Sequence, residues 1–166
     1  RDNKLQYPFQ TSWGSTTRLI GACIMTHSDN NGLVLPPAIA PIQVVVVPVA
    51  QHKPGVLDAA AALRDRLTAL ELRVKMDDSE QSPGWKYAQY EMKGVPLRVE
   101  IGPKDMEKQQ CCIARRDTGE KVFVPLTELE ATVQALLKEV HDNLYAMAEK
   151  NLEDNTFDFT TWEEVK

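Results

Sequence analysis

An arginine, the side chain that keeps its charge at any physiological pH, stands at position 18 directly after the polar bend Thr11 to Thr17. Its guanidinium can fork onto two oxygens, which suits chemistry that builds charge on phosphate or carboxylate groups. Gly14 and its small neighbours let a ligand come close to the backbone there. The apolar run Leu19 to Met25 is β-prone and of strand length, so the sequence predicts a strand with Arg18 at its mouth. His27 and Asp29 follow, the second in a turn from Ser28 to Gly32, and they are the one local hint of acid–base work. A turn histidine is more commonly a surface hydrogen-bonder. Cys111 and Cys112 alternate faces of a predicted strand and lack zinc-ligand spacing. After the first long strand stands Gln51-His52-Lys53-Pro54, not a glycine-rich phosphate loop.

The elements that must position these groups fall into three blocks. Residues 1–40 hold the Arg18 strand and a second short strand, Leu33 to Leu35, stopped by Pro36-Pro37; with Pro41 these prolines make a stiff connector. Residues 41–152 alternate strand and helix. The run Gln43 to Val49 reads as a strand buried on both faces. Val56, Ala60, Leu63, Leu67 and Leu70 give the segment Pro54 to Leu70 a helical stripe. A short strand, Leu72 to Met76, precedes a helix opened by Ser82-Pro83 and closed by Gly94. Strands at Val95 to Ile101, Cys111 to Arg115 and Lys121 to Val124 follow. Thr127 and Glu130 predict a capping box for a last helix with its stripe from Leu129 to Met147. The order β-α-β-α-β-β-β-α implies a three-layer α/β domain, with three helices over a five-stranded mixed sheet. The tail, residues 153–166, is acidic and spotted with Phe157, Phe159 and Trp162.

Composition narrows the class. No apolar run approaches bilayer length and no signal-peptide layout opens the chain. Three cysteines without a Cys-x-x-Cys pair point to a reduced, cytoplasmic compartment. The net charge is −5, but Pro83 to Lys121 carries eight Lys/Arg against six Asp/Glu. A weakly basic patch on an acidic body suits a protein that touches a few phosphates without gripping every polyanion; a solvated face with no partner is the plainer alternative.

Several of these segments also carry a family resemblance. TSWGSTTR with GLVLPP resembles the third signature motif of a class II aminoacyl-tRNA synthetase, in the form typical of prolyl-tRNA synthetases. SPGWKYAQYEMKGVP, LRVEIGPKDM and RRDTGEK resemble the same family, in its archaeal and eukaryotic branch. The resemblance implies that residues 1–40 are a remnant of the class II antiparallel catalytic sheet. It makes 41–152 the anticodon-binding domain and 153–166 the start of a C-terminal extension. By the same resemblance the chain begins inside a catalytic domain. The complete protein would activate proline with ATP and transfer it to tRNA(Pro), with magnesium accompanying the ATP, and this segment alone would be inactive. The family is homodimeric through its catalytic domain and often carries zinc in a further C-terminal domain, with no such ligands in this segment.

Residue by residue, the resemblance makes Arg18 the catalytic contact to the ATP phosphates, with Thr16 near the nucleotide. Ser12, Trp13 and Gly14 become the wall of a proline pocket. Glu107 and Arg116, nine residues apart, match positions that read anticodon bases in related domains. A guanine offers N1 and N2 donors to the carboxylate and O6 and N7 acceptors to the guanidinium. Arg98, Glu100, Lys104 and Arg115 are further candidates for base or phosphate contact, whereas Trp85 reads as a packing residue of its helix. Two rivals remain: a non-catalytic anticodon-domain relative that binds RNA or protein, and a small-ligand α/β domain of flavodoxin type. The motif TSWGSTTR argues against the first and the missing phosphate loop against the second.

Overall fold

Four consecutive valines followed by proline, Val44–Pro48, form β1, an interior strand of the sheet, every residue of it buried. β-branched side chains suit a strand that must pack on both faces. The computed structural model describes residues 4–163 and 165. Around β1 the chain builds α2 (Val56–Thr68), β2 (Val74–Met76), α3 (Pro83–Met92), β3 (Leu97–Ile101), α4 (Pro103–Glu107), β4 (Gln110–Arg115), β5 (Lys121–Pro125) and α5 (Leu129–Asp154), all preceded by α1 (Arg18–His27). The sheet order is β2-β1-β3-β4-β5. β1 runs parallel to β2 and β3, and the β3–β4 and β4–β5 pairs are antiparallel. The five-stranded mixed α/β sheet is as the sequence predicts.

Alternation along the strands divides the core. Val44, Val46, Leu97, Val99, Ile101, Cys111 and Ile113 meet the stripes of α2 and α5 on one face. Val45 and Val47 meet Tyr90 and Val95 at α3 on the other. α2 and α5 are also joined by Arg66, whose Nε and Nη2 donate to Glu130 Oε1 and Oε2 at 2.6 and 2.7 Å. That use of Glu130 corrects the capping-box expectation: α5 begins at Leu129 with no side-chain cap, and a bidentate arginine offers the carboxylate more than one backbone amide does. The buried stripe of α5 ends at Leu144, so Met147 is exposed. The start of α3 is as read from sequence, with Ser82 Oγ accepting from the Trp85 amide at 3.3 Å.

Residues 1–40 differ most from the sequence reading. The run after Arg18 is helix α1, not a strand, and Leu33 to Leu35 is extended without joining a sheet. Among the described residues this block holds only an isolated bridge, Asp29 to Gly32, so no remnant of an antiparallel sheet is seen. Leu19, Ala22 and Met25 tolerate helix well, and only Cys23 and His27, one turn apart, are withdrawn from solvent along α1. The block is nevertheless tied to the rest. The Leu33 and Leu35 amides donate to the Met92 and Gly94 carbonyls at 3.0 and 3.3 Å. Gly94 has φ +71°, and a Cβ there would lie 2.7 Å from Leu33 Cβ, so both backbone conformation and close approach require glycine.

Candidate nucleic-acid interface

The sheet is wider than the helix that covers its second face. α3 packs over β1 and lays Tyr87 across Arg98 and Glu100 of β3, so the solvent-open part of this face is its β5 edge. Strand register sets what β3, β4 and β5 present there. One row across the strands is Glu100, Cys112 and Phe123; the next is Arg98, Ala114 and Lys121. Phe123 is 66% exposed although it sits in a strand. Its ring is a flat apolar surface at the edge of a charged cluster.

That cluster is organised by Tyr87 of α3. The Arg98 guanidinium lies 4.0 Å and the Lys121 ammonium 5.4 Å from the Tyr87 ring centroid. The Tyr87 hydroxyl donates to Glu100 Oε2 at 3.0 Å. Glu100 Oε1 accepts from Arg98 Nε at 2.9 Å and from Lys121 Nζ at 3.2 Å. Burial, and then the negative charge of Glu100, push the Tyr87 hydroxyl far above its ordinary range, so it stays a donor. Burial likewise raises the Cys112 thiol, which is therefore a small packing surface and not a nucleophile. The arrangement offers an exposed ring, Phe123, and an exposed cation, Lys121, with the largely buried Arg98 and Glu100 fixed behind them. This is the chemistry that single-stranded bases and their phosphates need.

The sequence-derived candidates divide. Arg98 and Glu100 belong to this face. Glu107 and Lys104 are exposed on α4, beyond its β3 end. Arg115 points to the opposite face, where it donates to Asp117 at 3.0 and 2.7 Å and to Glu139 of α5 at 3.0 Å. Arg116 is only 9% exposed and its fork is taken: Nη1 and Nη2 donate to Asp29 Oδ2 and Oδ1 at 2.8 and 2.7 Å. Its Nε donates to the Glu91 carbonyl at 2.9 Å. Arg116 and Glu107, expected to read anticodon bases, therefore do not stand side by side, and the Arg116 fork is already occupied. They flank the six-residue strand β4 at opposite ends, roughly 20 Å apart at the rise of an extended chain. Spacing in sequence could not show this, because nine residues that cross a strand separate their ends. Trp85 is half exposed and not the packing residue the sequence suggested. Tyr87, Lys121 and Phe123 were missed. Alternation in β5 was the available signal, since it places Lys121 and Phe123 on one face.

Arg18 opens α1, with its backbone N–H 3.3 Å from Thr16 Oγ1, and its side chain is exposed. Ser12, Trp13 and Gly14 lie in an exposed stretch without regular structure; Trp13 is 95% exposed and nothing stands within 4 Å of a Cβ built on Gly14. The described residues therefore assemble no pocket wall around them. His27 is half-buried, and that burial lowers its pKa. No group of three or more His, Cys, Asp or Glu among the described residues is placed to hold a metal, and no helix there is long and apolar enough to cross a membrane.

The Asp29–Arg116 pair makes a titration prediction. The hydrogen bonds from Arg116 hold the Asp29 carboxyl down at about 2, against a smaller opposing effect of burial and with help from the Asn31 and Gly32 amides. A depressed folded pKa contributes stability above the unfolded value of about 4, and that contribution is lost as pH falls from there towards 2. In a carboxyl-carbon NMR titration, Asp29 should show a midpoint near 2 in the native chain and return towards the usual aspartate range in Arg116→Gln. An unchanged midpoint in the variant would rule out the pair as the cause.

The mixed sheet and its helices define a layered α/β domain, and comparison with known proteins gives its family. Residues 43–136 match the family described as the anticodon binding domain, and the chain belongs to that family. The whole chain is 52% identical to proline–tRNA ligase 2 of Bacillus thuringiensis (strain Al Hakam), covering 35% of that protein. It is 54% identical to proline–tRNA ligase of Clostridium botulinum (strain Langeland), again over its full length and 34% of the relative. Over 99% of the chain it is 57% identical to proline–tRNA ligase of Ruminiclostridium cellulolyticum, covering 34% of it. The chain thus spans about a third of the length of these relatives.

Proposed function

We propose that the chain is part of a proline–tRNA ligase, with its open sheet face and α4 receiving the anticodon of tRNA(Pro). The observation that carries this reading is identity above one half along the whole chain with proteins of that name, the anticodon-binding family match lying within it. In the complete protein the reaction joins proline to ATP with release of diphosphate, then passes the prolyl group to the 3′ end of the tRNA. Arg18, at the N-terminal end of α1, would meet the phosphates of ATP, where its charge and the first-turn amides of the helix act in the same sense. Thr16 would stand beside the nucleotide. Ser12, Trp13 and Gly14 would wall the proline once residues from elsewhere in the polypeptide close the pocket. Magnesium would arrive with the nucleotide; the described residues supply no ligand set of their own. A cytoplasmic homodimer is the setting this reading implies.

On the anticodon side, Phe123 supplies a surface for one splayed base, Lys121 a phosphate contact, and Glu100 and Arg98 polar edges held by Tyr87. Glu107 and Lys104 would touch the loop from α4. The test is binding of a fluorescent anticodon-arm hairpin of tRNA(Pro) to this chain across a salt series. Phe123→Ala should cost about 1–3 kcal/mol, the usual contribution of one stacked base. Lys121→Ala should weaken cognate and base-substituted hairpins alike and lower the salt slope by about one contact. Wild-type affinity in both variants would remove the open face from the interface.

A further inference from the structure

The two blocks of the chain are joined by a run of charged contacts that starts on the open face. Arg98, whose Nε is held by Glu100, donates from Nη1 to the Glu91 carboxylate at 3.2 Å. Glu91 is the ninth residue of α3, and its backbone carbonyl accepts from Arg116 Nε at 2.9 Å. Arg116 in turn forks onto Asp29, two residues beyond the end of α1. Arg98, Glu91, Arg116 and Asp29 all line one cavity of about 200 Å³. The remaining guanidinium nitrogen, Arg98 Nη2, has no hydrogen-bond partner among the described residues.

We propose that Arg116 and Asp29 are positioning residues that carry occupancy of the RNA-binding face to the α1 segment. This rests on the anticodon-binding reading of that face. An RNA acceptor taken by Arg98 Nη2 adds a further bond to a guanidinium already held at Nε by Glu100 and at Nη1 by Glu91, and so strengthens its hold on Glu91. The end of α3 is held with it, and so is the carbonyl that orients Arg116. A guanidinium fixed at Nε presents its fork to Asp29 in one plane, and a bidentate pair is sensitive to that plane. Docking of residues 29–35 then tightens, and α1, which carries Arg18, is held in one position against the domain. Energetic coupling of this kind needs linked elements with discrete arrangements, and an ion pair that is either forked or broken supplies one.

The experiment follows amide hydrogen exchange in this chain with and without the anticodon-arm hairpin. The Leu33 and Leu35 amides report docking, because they donate across the junction to Met92 and Gly94. In the native chain, saturating hairpin should slow their exchange at least 3-fold. Asp29→Asn is a mild change at a half-exposed side chain. It should speed their basal exchange about 10-fold, leave hairpin affinity within about 3-fold, and abolish the hairpin's effect on them. Arg116→Gln should behave the same way, and the double variant should be no worse than either single one, as for two residues acting as a pair. A hairpin that binds without slowing Leu33 and Leu35 overturns the coupling and leaves the anticodon reading intact. Slowing that survives in Asp29→Asn overturns the role of this pair. A hairpin that fails to bind the native chain overturns the reading of the face, and the inference with it.

Discussion

Arg18→Ala in the full-length protein should lower proline-dependent ATP–diphosphate exchange by roughly 10²–10³-fold, the usual loss when one charge-stabilising group is removed from a polar transition state. Carboxylate attack on ATP spreads charge over the departing diphosphate, and a guanidinium keeps its own charge whatever that charge does to it. The position supports the expectation as much as the residue type. Arg18 opens a ten-residue helix whose first-turn amides point away from the helix, and its side chain is not consumed by an ion pair with any described residue. Arg18→Lys should recover only part of the loss, because an ammonium cannot span two oxygens. Affinity for the anticodon-arm hairpin should not change, since Arg18 lies in the other block of the chain. Near-normal exchange by a folded Arg18→Ala protein would remove this residue from the nucleotide site.

Lys86→Met should destabilise the domain by about 3 kcal/mol. Lys86 lies inside α3 and is 1% exposed, a rare burial for a lysine. Its ammonium donates to Gln51 Oε1 at 3.0 Å and to the Asp77 carbonyl at 2.8 Å, with the Asp77 carboxylate 3.8 Å away. Gln51 passes the connection on, donating to the Asp78 and Ser79 carbonyls at 3.2 and 2.9 Å. One cation therefore ties together α3 and the loops that follow β1 and β2. Burial alone would raise the Asp77 carboxyl. Bonds from Ser79 and Tyr90 and the charge of Lys86 prevail and hold it below the ordinary range. Methionine keeps the length of the stem but none of the donors, and it leaves two acceptors without this donor and the Asp77 carboxylate without its cation. Urea unfolding should show a lower midpoint with an unchanged slope, while Trp85→Ala, one residue away and half exposed, should shift it far less. A Lys86→Met protein as stable as the native one would mean that water satisfies the site equally well.

The layer architecture was legible in the sequence because its signals are local. A run of valines can only be a doubly buried strand or a short buried helix, and the helical stripe beginning at Val56 next to it settles which. Ser82, Pro83 and Gly94 punctuate α3 through their own backbone chemistry, so its limits could be read without knowing what it packs against. The family was legible too, from short motifs that no periodicity argument could have interpreted.

What escaped the sequence was decided at long range. The run after Arg18 is too short to show a period, and its helical state shows in the single line, Cys23 to His27, that turns from solvent. Arg116 looked available because its partner, Asp29, lies 87 residues earlier in a turn that docks only once α3 and β4 are in place. Arg115, its neighbour, points through the sheet to α5 by strand alternation alone. The open face is invisible in the same way: each strand reads as buried or amphipathic by itself. Only the sheet order and the reach of one ten-residue helix leave Phe123 and Lys121 uncovered beside Glu100. Local periodicity fixes which side of an element is apolar, but the partner of a charged side chain and the helix that fails to cover a strand depend on distances that fold only in three dimensions.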